Sequence, residues 1–351
     1  MAPNAHLPMK PTAVFMAPFA LLMLTPGALP QTAAARLPPR LEDFLTSVVQ
    51  PTPAQRKDLM AGQPITKLLD ADPSREVVVF GAVWINAPIQ RYTEAVRDIE
   101  TFERGKGFLL TKRISSPPSL EDFSAMHIPE EDLKDLQNCQ VGDCKIKLSE
   151  EALRRVQSAV DWKASNRQAV ADAVIRQLAL EYVQGYLAGG DERLAVYREA
   201  SRPTFVAQEF HLMTDQMPEL AARAPDLQRY LLEYPRFELP DTTSFLYWQE
   251  VQFGLKPTFR INHLTIQQNP GETIVTSKML YASHYFWTAL ELRALVPDPS
   301  RGAGFWFFTI SRVRSDGLSG FRGGLIRGRV RSEAEKGTLA ALNATRKRLE
   351  Q

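Results

Sequence analysis

The sequence is poor in the residues that usually announce a chemistry. Its 351 residues include two cysteines and five histidines, and the formal net charge is +2. A near-neutral balance carries no large bias toward nucleic acid. Beyond residue 24 no apolar run approaches the roughly 20 residues that a membrane-spanning helix needs. The glycine-rich stretch around Gly317, Gly320, Gly323, Gly324 and Gly328 lacks the terminal Lys-Ser or Lys-Thr of a phosphate-binding loop. It reads instead as a tight strand-to-helix connection. There is no Cys-x-x-Cys-His for haem, no internal repeat, and no triad or paired acid–base motif. No cofactor is implied, and no catalytic residue is assigned.

The N-terminus has the layout of a secretory signal. Lys10 lies in a short start without acidic residues, Ala13 to Leu24 is apolar apart from Pro18, and Ala33-Ala34-Ala35 offers small residues for cleavage. Residues 1–35 are therefore expected to leave a mature chain in the periplasm or outside the cell, with no transmembrane segment. An uncleaved anchor is the competing reading. In such a compartment Cys139 and Cys144, which flank Gln-Val-Gly-Asp, are expected to form a small-loop disulfide. A zinc pair lacks nearby Cys or His partners, and a reduced pair stays open.

Residues 36–64 are rich in proline and read as a linker with a short helix near Leu41 to Val49. The domain is expected over 65–351. Arg75 to Ile85 is a strand running into Asn-Ala-Pro, a helix start. Ile89, Tyr92, Val96 and Ile99 then follow at helical spacing. Phe108 to Ile114 is a second strand. Ser149 to Tyr234 is helical by its apolar stripes and reads as an insertion or a lid.

The chain then becomes strand-like. Thr276 to Val296 alternates with a period of two, as one long curved strand or two strands around a bend. One face would carry Leu280, Ala282, His284, Phe286, Thr288, Leu290 and Leu292. Ser244 to Ile266 lies before it, joined through the turn Gln267 to Glu272. Gly304 to Arg314, which includes Phe308, follows as a further strand. Ser332-Glu333-Ala334-Glu335 is a capping box and predicts a C-terminal helix from Ser332. Leu339, Leu342 and Leu349 would lie near one face, with Ala340, Ala341 and Ala344 close by.

Two stretches resemble the helix-grip fold of the START-like, or SRPBCC, superfamily. Val77 to Phe102 is similar to that family's first strand, Ala-Pro and first helix. Gly304 to Gln351 is similar to its last strand, glycine turn and long helix. The resemblance covers about a quarter of the chain. It implies an α+β domain whose curved antiparallel sheet wraps a long C-terminal helix, with 149–234 as an added helical insertion.

The function expected on that fold is binding of a hydrophobic small molecule or lipid between the sheet and the C-terminal helix. Ala282, His284, Phe286, Leu290 and Phe308 are the expected ligand residues, with His284 orienting the ligand. Small Ala282 and Thr288 facing an alanine-rich helix would leave the space. Two other classes compete. One is a cyclase- or hydrolase-type enzyme using His284 with Glu250 or Glu291. The other is a structural or partner-binding envelope protein with no cavity. The two-histidine-and-carboxylate spacing of the superfamily's iron-binding members is absent around His263 and His284, so no metal is expected.

Overall fold

The structure, a computed structural model, is described for residues 37–351 except 106, 253–255, 317 and 319, and for the backbone alone at 320–326. The expected signal segment lies outside the described residues. The strands are β1 (Ile65–Leu68), β2 (Glu76–Ile85), β3 (Phe108–Arg113), β4 (Val196–Tyr197), β5 (Thr204–Phe205), β6 (Thr242–Val251), β7 (Thr258–Asn269), β8 (Glu272–Ala282), β9 (Phe286–Pro297) and β10 (Phe305–Ser315). The helices are α1 (Pro39–Phe44), α2 (Pro53–Met60), α3 (Ile89–Arg97), α4 (Ile99–Phe102), α5 (Glu130–Asn138), α6 (Glu150–Ala159), α7 (Arg167–Gly189), α8 (Val206–Asp215), α9 (Pro218–Arg223), α10 (Pro225–Glu233) and α11 (Gly320–Glu350).

Eight strands form one antiparallel sheet in the order β1-β2-β10-β9-β8-β7-β6-β3. The fold is thus α+β, with a large antiparallel sheet and a long C-terminal helix. The period-two alternation assigns each strand residue to one of two faces. The inner face is carried across the sheet by register: Gly81 and Val83 lie beside Thr309 and Phe307, then Arg293 and Leu295, then Val275 and Thr273. It continues through Ile266 and Leu264 to Phe245 and Tyr247.

Helices α3, α4 and α11 pack on this face. Tyr92, Val96 and Ile99 meet Phe305, Phe307, Leu264 and Leu295 there, and α11 adds Leu342 and Leu349. Each large apolar side chain buried this way contributes about 1.5–3 kcal/mol. At Gly81 the helix comes so close that a Cβ would lie 2.8 Å from Thr338 Cγ2 and 3.0 Å from Leu342 Cδ1. Glycine is required at that crossing by space, not by backbone conformation.

The outer face is covered by the rest of the chain. Leu37, Leu41, Leu45, Val49 and Leu59 pack on Phe80, Ala82, Trp306 and Phe308. Residues 37–60 are therefore part of the domain, and the expected linker is corrected. The prolines there start α1 and α2, at N1, instead of marking loose chain. Helices α7–α10 cover the other outer strands: α7 meets Leu246, Trp248, Ile261 and Leu280, while α8–α10 meet Ile274 and Leu290. The insertion is helical as expected but also contains the small β4–β5 hairpin.

Thr276 to Val296 takes the two-strand form. It breaks at Ser283–Tyr285, where Tyr285 has φ 58°. The C-terminal helix starts at Gly320, so Ser332 lies mid-helix and does not cap it. Its inward stripe is Val330, Ala334, Thr338, Leu342 and Leu349, whereas Leu339, Ala340, Ala341 and Ala344 are exposed. The alanines therefore do not face the sheet. Cys139 and Cys144 are joined in a disulfide at the end of α5. No helix among the described residues is long and apolar enough to cross a membrane.

Candidate functional site

The expected ligand residues do not converge on one cavity. Phe308 belongs to the outer-face cluster under α1 and the turn that follows it, and Leu290 to the cluster under α8–α10. Both face away from the C-terminal helix, because β9 and β10 turn their other residues inward. Ala282 is fully buried and in register with Arg260. Phe286 is half-buried at the start of β9, its ring 6.3 Å from that of Tyr285.

His284 is also committed elsewhere. Its Nε2 lies 2.9 Å from Asp132 Oδ2 and its Nδ1 lies 3.0 Å from the Lys145 carbonyl oxygen. Both ring nitrogens face acceptors, so neither is free to orient a ligand or take a proton from a nucleophile. The histidine ties the β8–β9 hairpin to α5 and to the chain after the disulfide. Lys256 Nζ reaches the same Asp132 at 3.3 Å and Asp135 at 2.8 Å. Neither Glu250 nor Glu291 hydrogen-bonds to His284, so the expected enzyme pairing is not assembled. Among the described residues no group of three or more His, Cys, Asp or Glu is placed to hold a metal ion.

The polar residues that do converge lie on the inner face. Arg293 donates to Glu291 through two nitrogens, at 2.8 and 2.7 Å. It also reaches Tyr92 Oη at 3.2 Å and Glu103 at 3.4 Å. Gln249 donates to the other Glu103 oxygen at 2.5 Å and to Thr111 at 3.2 Å. Its own oxygen accepts from Arg260 at 2.8 Å and Asn262 at 3.3 Å. Tyr247 Oη and Ser277 Oγ lie 2.9 Å apart. Thr309 of β10 donates to Glu291 at 3.4 Å, so that helix α3, the end of α4 and strands β3, β6, β7, β8, β9 and β10 each supply a member.

The electrostatics separate the two carboxyls. Burial pushes Glu103 up from the ordinary carboxylate range, and Arg293 only partly offsets it. Burial also acts to raise Glu291, but there Arg293, Arg260 and the hydrogen bonds win, and the carboxyl is held low. Burial likewise raises the Tyr92 hydroxyl. Oppositely shifted acids in one cluster are a mark of functional sites as well as of structural ion-pair networks.

The cluster is not uniformly buried. The Glu291 side chain is 35% exposed although it sits on a central strand, whereas Arg293 is 8% exposed. Ala289, Ser311 and Val313, which share the inner face with Glu291, are also half-exposed. They lie between α11, which packs on β1 and β2, and α4, which packs on β3, where the inner face is only partly covered.

The sequence signal for this site is faint. Glu291, Arg293 and Arg260 were visible as charges on the strands, but charge alternation on a strand reads as a solvated face. Glu103, Gln249 and Tyr92 carry no motif at all. No known family model matches the chain, and no curated protein matches it.

Proposed function

We propose that this is an exported binding protein that holds a small molecule or lipid with an apolar body on the inner face of the sheet, beside the C-terminal helix. The observation that carries this reading is the partial exposure of Ala289, Glu291, Ser311 and Val313, which we read as the floor of a groove. Floor residues of two central strands would be sealed if the helix side were fully packed. Ligand sites are concave and mostly apolar, with few placed polar groups. Met279, Ala289 and Val313 supply apolar wall here, and Glu291, Ser311 and Arg260 the polar points.

The strand order, with β2 next to the last strand and the long helix laid over β2, supports a helix-grip-like fold. Export is supported by the signal-like N-terminus and the disulfide, and the periplasm or the extracellular space is the compartment we propose.

Native mass spectrometry with lipid extraction tests the reading. The purified protein is expected to carry a co-purifying ligand and to begin near Arg36. Ala289→Trp is expected to displace the ligand and leave the fold intact, since Ala289 opens onto the groove. Ala282→Trp is expected to destabilise the protein instead, because Ala282 is fully buried and a large ring there would overpack the interior. A ligand-free wild type that also binds no alkyl probe would sink the proposal.

A further inference from the structure

We propose that Arg260 is the docking point for an anionic head group, a carboxylate or phosphate, carried by an amphiphile whose chain lies along the groove floor. This deepens the groove reading above and rests on it. Arg260 stands on β7 in register with Gln249 on one side and Ala282 on the other. Its Nη2 donates to Gln249 Oε1, a neutral acceptor shared with Asn262. Its Nε is buried, and no described residue accepts from it.

The two nearby carboxyls do not meet that need. Glu291 spends Oε1 on Arg293 and Thr309 and Oε2 on Arg293. Glu103 spends one oxygen on Arg293 and the other on Gln249. Both feel the charge of Arg260, which lowers each of them, yet neither accepts a hydrogen bond from it. Arg293 therefore holds both carboxyls, and Arg260 is left without an ion-pair partner among the described residues.

A guanidinium offers parallel N–H donors in a planar fork that fits two oxygens of a carboxylate or phosphate. The neighbouring inner-face residues Met279, Ala289 and Val313 are apolar. A charged head beside an apolar floor defines an amphiphile rather than a plain hydrocarbon.

Calorimetric titration with dodecanoate, dodecyl phosphate, dodecanol and inorganic phosphate tests this, after circular dichroism confirms that each variant is folded. At least one of the two anionic amphiphiles is expected to bind at least about tenfold tighter than dodecanol. Arg260→Gln is expected to weaken that anion roughly 10–100-fold and to leave dodecanol unchanged. Arg260→Lys, which keeps the charge but loses the fork, is expected to fall between. Anion binding unaffected by Arg260→Gln overturns the assignment while leaving the groove standing. Inorganic phosphate binding as tightly as dodecyl phosphate overturns the amphiphile. If no alkyl probe binds, and Ala289→Trp changes nothing, the groove itself fails and takes this inference with it.

Discussion

His263 shows how far burial can set the chemistry of a single residue. It is 2% exposed, its Nδ1 lies 3.0 Å from Tyr186 Oη, and its ring packs on Tyr234, Tyr186 and Tyr230. Burial, helped by the charge of Lys278, pushes it down from 6.5 to about 3. The folded protein therefore keeps a neutral imidazole where the unfolded chain takes up a proton. The sign follows: this stabilisation is complete above pH 6.5 and is lost as pH falls from there toward 3. Each pH unit is worth about 1.4 kcal/mol. Between pH 7.5 and 5 the wild type is expected to lose about 2 kcal/mol through this residue. His263→Gln should remove that part of the slope. Urea unfolding of both proteins across the range checks it. The carboxylates titrate in both, so the difference isolates the histidine, and parallel stability curves would refute the argument.

At the scale of elements, the close crossing of α11 over β2 is set by one glycine. Gly81→Val would drive a side chain into Thr338, Leu342 and Thr309, all within 3.1 Å of the added Cβ. Overpacking of this kind costs about 1–3 kcal/mol. The expected result is a lowered urea midpoint and faster proteolysis within α11, with Gly81→Ala milder. An unchanged midpoint would show that the helix does not rest on that strand. The same crossing shows why the elements were legible in the sequence and their faces were not. Strand periodicity located β2, the β7–β8 hairpin and β10. Periodicity cannot say which of two faces meets which helix, and here both faces carry helices. Leu290 and Phe308 were given to the C-terminal helix for that reason. The alternation also ran unbroken through Ser283–Tyr285, so the hairpin turn was hidden within it. The helix start at Ser332 was misplaced because a true capping pattern occurs inside a helix already under way. The inner-face cluster stayed hidden because Glu103, Gln249 and Arg293 are far apart in sequence and meet only through sheet register.

For the whole molecule, the question is whether the helical insertion is a cover or a lid. The buried charges argue for a cover. Glu76, fully buried at the start of β2, is held by Arg312 and Arg314, and those arginines also hold Gln216 and Glu209 of the insertion. Lys147 joins Glu199 and Asp316, each at 2.5 Å. Lys278, fully buried on β8, donates to Asp191 and to the Leu231 carbonyl oxygen, each at 2.5 Å, with Phe210 4.1 Å away. Lifting the insertion would strand these ions in the apolar interior, a cost far above that of opening a surface loop. The insertion is thereby anchored to the outer face of the sheet as a fixed layer. The Lys278–Asp191 pair gives the test. Lys278→Met and Asp191→Asn are each expected to cost about 3–5 kcal/mol, since each leaves an uncompensated buried charge. The double variant removes both charges and is expected to recover most of that loss, which a double-mutant cycle measured by urea unfolding would read as strong coupling. Additive single losses would mean that the two side chains do not hold the insertion to the sheet, and the lid would return as the better description.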